Sequence, residues 1–149
     1  MKISFLRKAL MLILVMLLVF PTFTACGRKI TLDDAKYTMG KLFSALGSGD
    51  YDDVVNLIHK SSEITESRVE SFISEVEDKV GGYFSDGISN IRYSSYEELP
   101  YNGVPGGSKF RVSGTLNIGS AHNVSFIISL IMDSVGYGIN VIDFDGVAL

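Results

Sequence analysis

Few side chains in this sequence are of a type and spacing to do chemistry. There is one cysteine, Cys26, and there are two histidines, His59 and His122. Zinc needs several thiolate or imidazole ligands brought close together, and these three do not assemble such a set. Asp143-Phe144-Asp145-Gly146 shares the start of a calcium loop but lacks the further oxygen ligands and the closing glutamate. Two exposed aspartates at a strand end are the better reading. No Ser-His-Asp pattern or nucleophile elbow is legible. The glycines between Gly103 and Gly107 have no helix behind them to cradle a phosphate. No metal and no cofactor is expected.

Cys26 is the residue with the most informative surroundings. Lys2, Arg7 and Lys8 form a positive head, Ala9 to Phe20 is an unbroken apolar run, and Pro21 ends it. This is the three-part layout of a secretory signal. The run is shorter than the roughly 20 residues that a helix needs to cross a bilayer. Phe23-Thr24-Ala25-Cys26 resembles the lipobox of bacterial lipoproteins, with Phe23 where such signals usually carry Leu. The resemblance implies cleavage before Cys26, a diacylglycerol on its sulfur, and a place on the extracytoplasmic face of a cell membrane. An ordinary secretory signal would leave a reactive unpaired thiol near the cut. An uncleaved anchor would need a longer apolar run. The expected organisation is a signal peptide over 1–25, a lipidated tether over 26–30 and one domain over 31–149.

Charge narrows the partners. Three of the 13 basic residues leave with the signal, so ten face all 17 acidic residues and the remainder carries a formal charge of −7. An acidic domain is a poor ligand for nucleic acid and does not adhere electrostatically to anionic lipid. The membrane is expected as a partner through the lipid alone. Asn123-Val124-Ser125 fits a glycosylation acceptor, which a bacterial lipoprotein would not normally use.

The elements that must position any site follow from periodicity. Thr31 can cap a first helix with Asp34 at its third position, and Leu32, Ala35, Met39, Leu42, Phe43 and Leu46 form its apolar stripe. Gly47-Ser48-Gly49 ends it, and Asp50 caps a second helix through Val54, Val55, Leu57 and Ile58, with Tyr51 entering the core. That helix fades at His59 to Ser62. A third starts near Thr65 or Ser67 and stops at Gly81-Gly82. From Ile91 the period becomes strand-like: Ile91 to Glu98, Lys109 to Ile118, Asn123 to Asp133 and Tyr137 to Asp145. Gly119 to His122 and Ser134 to Gly136 supply the turns. Helices followed by an antiparallel meander make an α+β fold.

The turn Ala45-Leu46-Gly47-Ser48-Gly49-Asp50-Tyr51, the short helix after it, and the closing strand Tyr137 to Asp143 resemble the nuclear-transport-factor-like (cystatin-like) superfamily. This resemblance implies N-terminal helices packed on a curved antiparallel sheet, a cone often holding a pocket. Its enzymes, isomerases and dehydratases, use an aspartate, histidine or tyrosine inside that cone. The corresponding candidates are His59, His122, Asp133, Asp143, Tyr93 and Tyr96, with Tyr93, Tyr96 and Asp133 as a possible pocket. Each also has a plainer explanation. His59 suits the negative end of the second helix, His122 a solvated hairpin connection, and Asp133 local hydrogen bonding before a turn. Ile127 and Ile131 fall on the face opposite Phe126 and Ile128. Either the sheet curves enough to bury both faces, or its outer face meets a protein partner or a second copy. The function expected is a cell-surface binding or interaction module. The alternatives are a small-molecule enzyme and a structural accessory to a membrane complex.

Overall fold

Thr31 opens the fold with a reciprocal cap. Its hydroxyl accepts the Asp34 amide at 3.1 Å while the Asp34 carboxylate accepts the Thr31 amide at 3.0 Å. Helix α1 (Leu32–Ser48) follows, then α2 (Tyr51–Leu57) with Asp50 as its cap. A 3-10 turn (Lys60–Ser62) leads to Thr65, which caps α3 (Glu66–Val80). A second 3-10 turn (Phe84–Asp86) then delivers the chain to the sheet. The computed structural model describes residues 29–101 and 107–149. The expected signal peptide, Cys26 with most of its tether, and Gly103 of the glycine-containing loop lie outside the described residues.

The sheet is antiparallel and open, with five strands in sequence order: β1 (Ile88–Leu99), β2 (Ser108–Ile118), β3 (Ala121–Met132), β4 (Tyr137–Phe144) and β5 (Val147–Ala148). The α+β class expected from the change of period is therefore present. β5 was not legible, because two residues are too few to show an alternation. His122 lies inside β3 rather than in the hairpin connection, and it is exposed.

Register explains which side chains meet. One row across the sheet is Tyr96, Val112, Ile128 and Ile142; the next is Tyr93, Gly114, Phe126 and Phe144. Both rows face the helices. Phe43 of α1 sets its ring edge-on to Phe126 at 5.7 Å, while Phe72 and Phe84 reach Phe144 at 6.2 and 5.4 Å. Burying each ring contributes about 1.5–3 kcal/mol, so these contacts anchor the two layers. Tyr51 packs against this core but is only half-buried.

Gly114 permits the irregular pairing of β1 on β2. A Cβ there would stand 2.1 Å from the Arg92 carbonyl oxygen and within 3 Å of the Phe126 ring. The register slips between Tyr93 and Ser95, with Tyr93 opposite Gly114 and Ser95 opposite Ser113. One extra residue, Ser94, is accommodated there as a bulge. Regular alternation would point Tyr93 and Tyr96 to opposite faces. The bulge puts both on the helix side.

The two edges of the sheet end differently. At the β4 edge, β5 pairs with Asp143 and Phe144, and Ile58 forms a parallel bridge to Ile139. At the other edge, no described strand pairs with the outer side of β1. On the outer face of β3, Ile127 is 42% exposed whereas Ile131 is 3% exposed.

Candidate functional site

Two clusters gather the side chains with chemical potential. The first begins where α2 ends. The His59 amide donates to the Ile139 carbonyl at 2.8 Å, which lays the chain along β4. Gly138 makes this approach possible, since a Cβ there would lie 2.7 Å from the His59 backbone. The imidazole is thereby turned inward, 1% exposed, towards the β3–β4 turn.

At that turn Asp133 collects four donors. Its Oδ1 accepts the amides of Val135 at 2.8 Å and Gly136 at 3.3 Å, and Oδ2 accepts the Tyr101 hydroxyl at 3.0 Å. His59 Nε2 stands 3.1 Å from Oδ1. The other ring nitrogen fixes the tautomer. The Ser61 amide can only donate, and it lies 3.3 Å from Nδ1. Nδ1 is thus the acceptor, Nε2 carries the proton and donates to Asp133, and the Ser61 hydroxyl, 2.7 Å away, also donates to Nδ1.

Electrostatics agrees with this arrangement. Burial pushes the Asp133 carboxyl up. The Val135 amide, the Tyr101 hydroxyl and the Gly136 amide, with the neighbouring His59 imidazole, outweigh it and hold the group below the usual aspartate range. Tyr101 is pushed above the usual phenol range, first by its hydrogen bond to Asp133, then by burial and by the carboxylate charge.

Asp133, His59 and Ser61 stand in the order of a nucleophile relay. The order was hidden in the sequence because the aspartate lies 74 residues from the histidine. Yet the imidazole is enclosed, and its acceptor nitrogen caps the 3-10 turn through the Ser61 amide. The arrangement fastens the exit of α2 to the β3–β4 turn. His59 therefore does not serve the helix dipole of α2, which the sequence suggested; it lies beyond the helix end and its ring meets a carboxylate. Asp133 makes the local turn bonds expected of it and adds two long-range ones.

The second cluster is the tyrosine pair on β1. The Tyr93 and Tyr96 rings lie 5.4 Å apart, and Tyr93 sets its edge on Phe126 at 6.0 Å. The Lys36 ammonium stands 5.8 Å from the centre of Tyr96, within cation–π range. Tyr93 is 38% exposed, so the pair forms an aromatic shelf open to solvent beside α1. Burial pushes both phenols up, and the neighbouring Tyr93 adds to this at Tyr96. The structure brings Tyr93 and Tyr96 together but not with Asp133. Seven residues separate Phe126, in the Tyr93 row, from Asp133, roughly 20 Å along a strand.

The remaining candidates have local roles. Asp143 Oδ1 accepts the Gly146 amide at 2.8 Å, and Asp145 Oδ1 accepts the Ser125 hydroxyl at 2.9 Å, so both carboxylates shape the β4–β5 turn. An open depression of about 330 Å³ lies between α1 and α2, lined by Lys41, Ser44, Asp53 and Asn56. A second, of about 230 Å³, lies at the exit of α2 against Val55, Ile58, His59, Lys60 and Glu63. Neither is lined by a residue of the sheet. A scan of protein-family models finds no match to this chain, and neither does a comparison with curated proteins.

Proposed function

We propose that this chain is a bacterial lipoprotein, held on the extracytoplasmic face of the cell membrane by a lipid on Cys26, and that its domain is a binding module. The observation that carries the module reading is the ring-filled space between helices and sheet, where Phe43, Phe72 and Phe84 meet Phe126 and Phe144. A domain with such an interior offers its surface to ligands. The tyrosine shelf is an aromatic part of that surface, and aromatic side chains dominate binding energetics.

The anchor reading rests on the positive head, short apolar run and small residues before Cys26. Two acyl chains on one cysteine make attachment stable where one is marginal. The fold reading is a nuclear-transport-factor-like cone with a filled centre; the Ala45–Tyr51 turn between α1 and α2 and the order of helices before sheet support it. An isomerase-type reading would need an acid or base open to a pocket, whereas both Asp133 oxygens already accept hydrogen bonds.

Fractionation of cells fed a labelled fatty acid tests the anchor. The full chain is expected to carry the label and sediment with membranes, and Cys26→Ala to do neither. An unlabelled wild-type chain would overturn the reading.

A further inference from the structure

The open edge of β1 has a sequence that is complementary to itself. Arg92-Tyr93-Ser94-Ser95-Tyr96-Glu97 reads nearly the same from both ends, with opposite charges at its two limits. Two copies of β1 running antiparallel about a twofold axis at Ser94-Ser95 would place Tyr93 opposite Tyr96 and Arg92 opposite Glu97, each pair occurring twice.

In a regular strand this alignment is forbidden. Residues directly opposite must point to the same face, and Tyr93 and Tyr96 are an odd number of residues apart. The bulge removes the conflict. With Ser94 as an extra residue, Tyr93 faces the same side as Gly114 and Tyr96 the same side as Val112, both towards the helices. Arg92 and Glu97, opposite Thr115 and Arg111, share the outer side. The bulge thus sits at the one place where a twofold axis makes the pairing consistent.

Exposure and edge structure agree. Residues from Ser89 to Ser94 are exposed, as are Glu97 and Glu98. The β4 edge is closed by β5 and Ile58, so the chain covers one edge of its sheet with its own residues and leaves β1 unpaired among the described strands. An unpaired edge of this length is a template for another strand.

The geometry points to a second copy of this chain as the partner of β1, joined edge to edge into one continuous sheet, with Arg92–Glu97 ion pairs on one face and four clustered tyrosines on the other. This inference goes beyond the anchored-module reading and stands without it.

Charge exchange in the full chain, kept in detergent, tests it by sedimentation. The wild type is expected to dimerise. Arg92→Glu and Glu97→Arg each set like charges opposite one another twice, and each is expected to weaken the dimer roughly tenfold or more. The double variant Arg92→Glu/Glu97→Arg restores both pairs and is expected to regain the dimer. A monomeric wild type, single variants that dimerise as well as the wild type, or a double variant that fails to recover would each overturn it. Hydrogen exchange of the wild type needs no variant: protection of β1 amides is expected to rise with concentration, and a rise confined to other strands, or none, contradicts the pairing.

Discussion

His59 Nε2 donates to Asp133 Oδ1 at 3.1 Å, joining the exit of α2 to the turn between β3 and β4 across 74 residues of sequence. Both side chains are shielded, 1% and 7% exposed, so neither finds water as a substitute partner. Losing Asp133 leaves the His59 Nε2 proton buried without its acceptor, whereas losing His59 leaves Asp133 the Val135, Gly136 and Tyr101 donors; the buried pair is still more costly to break than an exposed ion pair.

His59→Ala is therefore expected to destabilise the domain by about 2 kcal/mol or more, from the lost cap, the lost bond to Asp133 and the cavity together. Urea unfolding followed by circular dichroism measures it. A loss within about 0.5 kcal/mol, the range of surface substitutions, would show that the clamp is dispensable.

The pH dependence of stability follows from the same turn. The folded state holds the Asp133 carboxyl below the usual aspartate range, so its stabilisation is fully present above about pH 4 and is lost as the pH falls below that. Tyr101 is shifted upward, so its contribution is present below about pH 10 and is lost as the pH rises through its folded value. Asp133→Asn should flatten the acid limb. Unfolding curves across pH compare the two proteins, and an unchanged acid limb in Asp133→Asn would contradict the assignment.

Gly114→Ala is expected to disrupt the pairing of β1 with β2, because its Cβ would meet the Arg92 carbonyl at 2.1 Å. Overpacking costs about 1–3 kcal/mol where neighbours can yield. Here the obstacle is backbone, so a loss at or above the top of that range is expected. Thermal unfolding tests the size of the loss, and hydrogen exchange should locate it in β1.

Phe126 touches both Phe43 on α1 and Tyr93 on the shelf. Phe126→Ala should cost about 3–5 kcal/mol through lost burial and the cavity left behind. It should also release the Tyr93 ring, visible as a change in tyrosine fluorescence. Equal stability of the two proteins would mean that the layers are held elsewhere.

Much of the architecture was legible in the sequence because it depends on local rules. Thr31 with Asp34, Asp50, and the apolar repeat from Ala35 to Leu46 mark the helices through capping and periodicity. The alternation from Phe110 to Ile118 marks β2 and its buried face. The site was less legible, for a physical reason. His59 and Asp133 carry no local mark of their contact; only the folding of α2 against β4 brings them together. Tyr93 and Tyr96 could be named as a pair, but their shared face depends on a bulge at Ser94 that no alternation rule supplies. A cone could admit Asp133 beside those tyrosines, but the strand register places it far from them.

The proposed binding-module role requires an interior that is filled. Crystals of the protein under xenon pressure test this most directly, since xenon enters apolar cavities that exclude water. The account predicts no xenon site between the helices and the sheet, with the rings of Phe43, Phe72, Phe84, Phe126 and Phe144 unmoved. Xenon bound among those rings would reveal a hollow core and contradict it.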